Sequence, residues 1–248
     1  MELITSAKNP LLMHIRKLQA SRSYRTERGE FLCEGHKLLG EALRWYPQLK
    51  TVVLAEGTDC PPLPPQTRVV TVPQSLMQSL STMKTPQGVI FTCALPRPGT
   101  PQLMPGMLVL DRIQDPGNLG TVLRTADALG VPVLLTNDCA DPFSEKAVRA
   151  SMGAVLRIRP CSLPLDVFTE RLVQSGLPLA VTALSEDAAD ICTVSVKDYI
   201  VVIGSEGQGI SPELFTIASK KIIIPMQPHC ESLNAAVAAA IVMWQMRV

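Results

Sequence analysis

Over the first 95 residues, apolar positions recur at steps of three and four along Pro10–Ala20 and Glu34–Trp45, the spacing that gives an α-helix one apolar side. Lys50–Ala55, Arg68–Val72 and Val89–Ala94 are short runs of β-branched and other apolar residues and read as strands. Beyond residue 106 the pattern changes. Met107–Leu110, Val131–Leu135, Leu179–Thr182, Ile200–Ile203 and Lys221–Ile224 are brief apolar runs of the kind found in strands covered on both faces. Helical spacing fills the gaps, over Leu119–Leu129, Glu145–Met152, Leu165–Ser175, Pro212–Phe215 and Leu233–Met246. Regular alternation of strand and helix predicts a parallel sheet with helices on both faces. Ligands of such sheets lie beyond the carboxyl ends of the strands.

Between the two regions, Leu95–Gly106 carries four prolines and two glycines, which predicts a linker over 96–106. The expected organisation is a small α/β domain over 1–95 and a larger α/β domain over 107–248. With 248 residues, 46% hydrophobic and 18% charged, both parts can bury a core. No apolar run is long enough to span a bilayer, and the N-terminus lacks a secretory pattern. The seven cysteines form no Cys-x-x-Cys pair, which argues against a disulfide framework and for the reducing cytoplasm. His229 and Cys230 are neighbours, but two ligands do not make a metal site, so no metal is expected. The net charge is only +1, yet Lys8, Arg16, Lys17, Arg22, Arg25 and Arg28 cluster near the start. Such a group either binds nucleic-acid phosphates or forms a solvated helix face.

Three segments stand at the ends of expected strands. In Asp111–Gly130, Asn118 is expected to cap the following helix and Gly130 to close it. Arg124 shares a face with Gly120 and Thr121; it could grip a phosphate bidentately or pair with Asp115 or Asp127. Ile200–Pro212 sets Gly204, Gly207 and Gly209 around Glu206, allowing close backbone approach to a ligand. Its spacing fits neither the dinucleotide fingerprint nor a P-loop. The third segment, Ile222–Ala236, runs through a proline-containing loop to Ser232-Leu233-Asn234, with Ser232 expected to cap the last helix. That helix is apolar nearly all round, so it must be buried in the domain or against a partner.

Order and spacing of these segments resemble the SpoU (TrmH-type) branch of the SPOUT methyltransferases, and Asp141–Gly153 resembles the stretch between the first two family motifs. Ile4–Pro10, Arg25 and Gly29–Gly35 resemble the N-terminal RNA-binding domain of members that act on ribosomal RNA. The resemblance implies a C-terminal domain with a deep trefoil knot around the second and third motifs, a homodimer, and S-adenosylmethionine as methyl donor to an RNA ribose 2′-hydroxyl. Ribosomal RNA is favoured over tRNA. Gly204, Ser205, Glu206, Gly207, Ile224, Met226, Ser232 and Leu233 would hold the cofactor. Arg124, Asn118, Glu206, Ser232 and Asn234 would form the catalytic centre, and Lys8, Arg16, Arg22, Arg25, Arg28 and Arg149 would meet the RNA. Ala235-Ala236 departs from the Val-Ser common in the family, which leaves open a non-catalytic RNA-binding assembly factor of the same fold.

Overall fold

The computed structural model describes every residue except Met1, Pro98, Asn137, Glu206 and Val248. The N-terminal part contains β1 (Glu2–Leu3), α1 (Pro10–Ala20), α2 (Arg22–Arg28), β2 (Glu30–Glu34), α3 (His36–Trp45), β3 (Leu49–Ala55), β4 (Arg68–Val72), α4 (Gln74–Leu80) and β5 (Val89–Ala94). Its five strands form a mixed sheet in the order β1-β4-β3-β5-β2, with β5 antiparallel to both β2 and β3. Leu12, Ile15 and Leu18 form the buried stripe of α1 against one face of this sheet, beside Val53, Val70 and Ile90.

The C-terminal part follows the alternation expected from the sequence. It contains β6 (Leu108–Asp111), α5 (Pro116–Leu129), β7 (Val133–Thr136), α6 (Glu145–Ala150), α7 (Ala154–Ile158), β8 (Cys161–Leu163), α8 (Leu165–Ser175), β9 (Leu179–Thr182), β10 (Ala189–Asp190), β11 (Ile200–Gly204), α9 (Pro212–Ile217), β12 (Lys220–Ile223) and α10 (Ala235–Gln245). All seven strands are parallel, in the order β10-β12-β9-β11-β6-β7-β8. That order matters for the site. β9 lies between β11 and β12, so its carboxyl end stands between the strands that launch the second and third motifs. No helix among the described residues is long and apolar enough to cross a membrane.

One apolar cluster runs through both parts, joining Phe31, Tyr46 and Phe91 to Leu110, Leu123, Val201 and Met243. Phe31 meets Phe143 across the junction with ring centroids 4.9 Å apart. Polar bridges cross it too. Arg157 pairs with Asp127 at 2.8 Å and with Glu41 of α3. Arg25, which the family resemblance places among the residues meeting the RNA, is held in a structural bridge here. It is 5% exposed, its Nη2 donates to Asp141 Oδ2 at 2.6 Å, and its Nη1 donates to the carbonyls of Leu18 and Gln19. Desolvation makes such an arginine a fixed structural bridge, unable to reach a ligand without abandoning the half-buried Asp141 carboxylate.

Candidate active site

β6 and β11 are adjacent and in register, Gly204 facing Asp111, so the first two motifs leave the sheet side by side. Asp111 is fully buried at this junction. Its Oδ2 accepts from both the backbone N–H and the hydroxyl of Ser211, each at 2.7 Å, and its Oδ1 accepts from the Thr136 hydroxyl at 3.2 Å. Arg112 follows at φ 57, in the left-handed region, and donates to Gln208 Oε1 at 3.1 Å and to the Gly209 carbonyl at 3.4 Å. A charge-assisted bond at each end pins the second motif's loop to the first. Sequence reasoning gave neither Asp111 nor Arg112 a role, since one buried carboxylate and its contacts have no periodicity.

The loop folds back tightly on itself. Ser205 and Gly209 exchange backbone hydrogen bonds at 3.1 and 2.9 Å, and a Cβ on Gly204 would lie 2.3 Å from the Gly209 carbonyl carbon and oxygen. Only glycine fits there. Beside it lies a cavity of about 320 Å³, in the size class of small-molecule sites. Gly204, Ser205, Ile224, Met226, Ser232 and Leu233, all expected at a cofactor site, line it together. Thr182, Ala183 and Leu184, from the end of β9, form a wall that the sequence did not reveal. The surface is largely apolar with a few hydroxyls, Thr182, Ser205 and Ser232, and with strand-end backbone beside them. A nucleoside carrying a thioether-like tail fits that chemistry: apolar walls for a flat ring, isolated polar groups to orient it.

Capping differs in detail from expectation. Asp115, one residue before Pro116, caps α5 by accepting from the Asn118 N–H at 2.8 Å; Asn118 is therefore inside the first turn. The Lys146 ammonium, 2.7 Å from Asp115, and the capping N–H hold this carboxyl below the usual carboxylate range. Gly130 closes the helix in the left-handed conformation. Asn234, not Ser232, caps α10, accepting from Ala236 and Val237 N–H at 3.0 and 3.3 Å. That leaves its amide nitrogen to donate to Asn118 Oδ1 at 3.0 Å, which joins the first and third motifs. Asn118, Ser205, Gly207 and Ala235 share a second, smaller hollow of about 220 Å³, next to the larger one through Ser205 and Ala235.

Among the described residues expected at the catalytic centre, Arg124 is not in this constellation. Glu206 lies outside the described residues. Arg124 sits on the exposed side of α5, in a groove with Thr121, Thr125, Ala240 and Trp244. Six residues along a helix rotate a side chain by about 240° and advance it by about 9 Å, so Arg124 cannot share the Asn118 side of its own chain. Nor is it a surface ion pair: Asp115 binds Lys146, Asp127 binds Arg157, and Arg124 has no ion-pair partner among the described residues. Of the other expected cations, Lys8 and Arg28 are exposed and Arg16 half-buried, while Arg22 donates to the Cys139 carbonyl at 3.2 Å. Arg149 binds Glu145 at 2.7 Å and Thr82 at 3.3 Å.

The model of the SpoU rRNA Methylase family matches residues 105–244, which include all three motifs. The chain belongs to this family. Residues 9–90 match an MRM3-like substrate binding domain. Among family relatives, a 23S rRNA (guanosine(2553)-2′-O)-methyltransferase from Bacillus subtilis is 30% identical over the whole of both chains. A solved structure of an AdoMet-bound rRNA methyltransferase from Sinorhizobium meliloti is 29% identical, with a TM-score of 0.86 over 99% of this chain and 97% of that one. A TrmH/SpoU tRNA modifying enzyme from A. aeolicus, 25% identical, covers only 57% of this chain and 73% of its own, with a TM-score of 0.50. Family likeness therefore extends over the N-terminal part for the rRNA-directed relative.

Proposed function

We propose that this protein transfers a methyl group from S-adenosylmethionine to a ribose 2′-hydroxyl of ribosomal RNA in the cytoplasm, as a homodimer with the family's knotted C-terminal domain. The observation that carries the reading is the convergence of the second and third motifs on one cavity, beside a smaller hollow lined by Asn118, which Asn234 holds by a hydrogen bond. The glycine-lined turn at 204–209 and the 224–233 loop would hold the cofactor, with Ser205 and Ser232 orienting it. When bound, that cofactor supplies an activated methyl on a sulfonium. The protein's own task is then alignment and charge control. Asn118 and Asn234, locked to each other, would fix the rim where the ribose enters. Ser232 offers a hydroxyl there, and Glu206 is the family's acidic group.

Arg124 would act on the site of the partner subunit, because α5 and α10 present it on the same exposed side as Val237 and Trp244, which are 49% and 61% exposed. Large apolar side chains left open on an otherwise apolar helix argue for a covering partner, and a twofold dimer would carry each Arg124 across the interface. Arginine stays protonated in proteins. It would therefore clamp the neighbouring phosphate and stabilise negative charge growing on the attacking oxygen, with no role as a base. Ribosomal RNA is favoured over tRNA by the N-terminal match to a substrate binding domain and by the full-length likeness to rRNA-directed relatives.

Mapping ribose methylation in total RNA from cells with and without the gene tests the assignment. Loss of one ribosomal 2′-O-methyl mark is expected. A change confined to tRNA overturns the ribosomal assignment. Absence of calorimetric cofactor binding at millimolar concentration favours the assembly-factor alternative, which the Ala235-Ala236 departure keeps on the table.

A further inference from the structure

A large cleft lies at the junction of the two parts, apart from the cavity described above. It has a volume of about 840 Å³ and is lined by α2, the turn after α3, Leu95–Arg97 with Gly99, Asp141–Phe143 and the chain from Arg159 to Ser162. Four arginines face it: Arg22, Arg25, Arg97 and Arg159. Its only carboxylate among the described lining residues, Asp141, is consumed by Arg25. Arg22, Arg97 and Arg159 have no carboxylate partner among the described residues. In a chain with a net charge of only +1, ordinary surface arginines have carboxylates available. Three uncompensated ones turned into a single recess repel each other, and a concave, low-dielectric wall concentrates their field.

Arg159 adds a second, independent observation. It stands at φ 47 and ψ 70, a left-handed conformation uncommon for any residue but glycine, and it directly precedes Pro160, a position that normally holds the chain extended. The guanidinium sits 5.4 Å from the Tyr46 ring centroid. Glycine would adopt this turn without strain. An arginine kept there, stacked on a tyrosine and facing a recess, points to a job for its charge.

Resting on the RNA-modifying role proposed above, we propose that this junction cleft binds the phosphates of a single-stranded RNA segment flanking the modified nucleotide. Arg97 and Arg159 make the phosphate contacts. Arg25–Asp141 holds the two walls at a fixed separation, and Arg22, tied to the Cys139 carbonyl, lies beside them. The cleft thereby couples the substrate binding part to the methylase part through one strand. Segment 138–143 leads there from the loop of the first motif, since the Ala140 N–H donates to the Ile113 carbonyl at 2.8 Å.

The test compares wild type with Arg97→Gln, Arg159→Gly and their combination, by fluorescence anisotropy with a labelled single-stranded RNA of about a dozen nucleotides at several salt concentrations. The double variant is expected to bind about tenfold more weakly. Its slope of log affinity against log salt should be shallower by about 1.4, two phosphate contacts at roughly 0.7 each. Arg159→Gly should not lower the melting temperature, and calorimetry should give unchanged cofactor affinity. If the melting temperature does fall, the exposed Arg97→Gln alone decides, with half the slope change expected. Unchanged RNA affinity and slope, in protein that still binds cofactor and methylates RNA, overturns the cleft and leaves the enzymatic reading intact. Displacement of the RNA by adenosine monophosphate at a comparable concentration also overturns it, assigning the recess to a free nucleotide. Wild-type protein that neither binds nor methylates RNA removes both proposals.

Discussion

At the residue scale, two positions carry the most chemistry for the least bulk. Arg124 is a charged side chain on an exposed helix face with both nearby carboxylates engaged elsewhere, so its charge is available to a ligand. Arg124→Ala should reduce methyl transfer by about a hundred- to a thousandfold, the usual effect of losing one group that stabilises developing oxyanion charge. Cofactor affinity should be nearly unchanged, because Arg124 does not line the 320 Å³ cavity. Steady-state kinetics beside calorimetry checks this, and full activity would remove Arg124 from the mechanism. Gly204 works in the opposite way, by what it lacks. In Gly204→Ala the new methyl must displace the Gly209 carbonyl, a clash costing about 1–3 kcal/mol, and the turn that walls the cavity must open. Cofactor affinity is expected to fall at least about tenfold with a lowered melting temperature; wild-type affinity would mean that the turn does not shape the site.

At the scale of elements, α10 joins capping to chemistry through one side chain. The Asn234 carbonyl oxygen caps the helix while its amide nitrogen holds Asn118. Asn234→Ala should cost about 1 kcal/mol of stability from the cap alone. Asn234→Asp keeps the capping acceptor but loses the donor to Asn118, so it should melt near wild type and still lose activity; thermal denaturation with a methylation assay separates the two roles. Much of the fold was legible because apolar period reports burial directly. α1, β4 and β5 begin and end where the pattern puts them. Elements lacking that signal were not legible. α2, Arg-Ser-Tyr-Arg-Thr-Glu-Arg, has no apolar stripe; the Ser21 cap, the left-handed Gly29 and the buried Arg25 hold it. β2 is buried on both faces, and its end was absorbed into an expected helix. Both caps at the site were assigned to the wrong polar residue. Several candidates stood within three positions, although aspartate just before Pro116 is the stronger start signal. The β9 wall of the cavity depends on strand order, which no local pattern encodes.

At the scale of the whole molecule, the junction between the parts is both a structural seam and a titratable one. Glu34, 7% exposed at the end of β2, accepts from the Ser81 hydroxyl and faces Glu145 and Arg149 of α6. Burial raises its pKa above the ordinary carboxylate value, outweighing the hydrogen bonds from Ser81 and Thr82, with Glu145 adding to the rise. A carboxyl raised on folding contributes its stability in the protonated form. That contribution is complete below the unfolded pKa and is lost as pH climbs through the folded one. Glu34→Gln keeps an acceptor for Ser81 and should flatten the fall in melting temperature between the carboxylate range and neutrality; an unaltered pH profile would exclude Glu34 as the cause. The dimer proposal admits a sharper test. If each site takes Arg124 from one subunit and Asn234 from the other, Arg124→Ala and Asn234→Asp proteins are each inactive yet complement one another. After subunit exchange half the dimers are mixed and each has one intact site, so roughly a quarter of wild-type activity should return. A site built within one chain predicts no recovery, since every chain in the mixture carries a defect. Recovery that rises with exchange time ties the exposed face of α10 to catalysis, and no recovery after mass spectrometry confirms mixed dimers would return Arg124 to the surface.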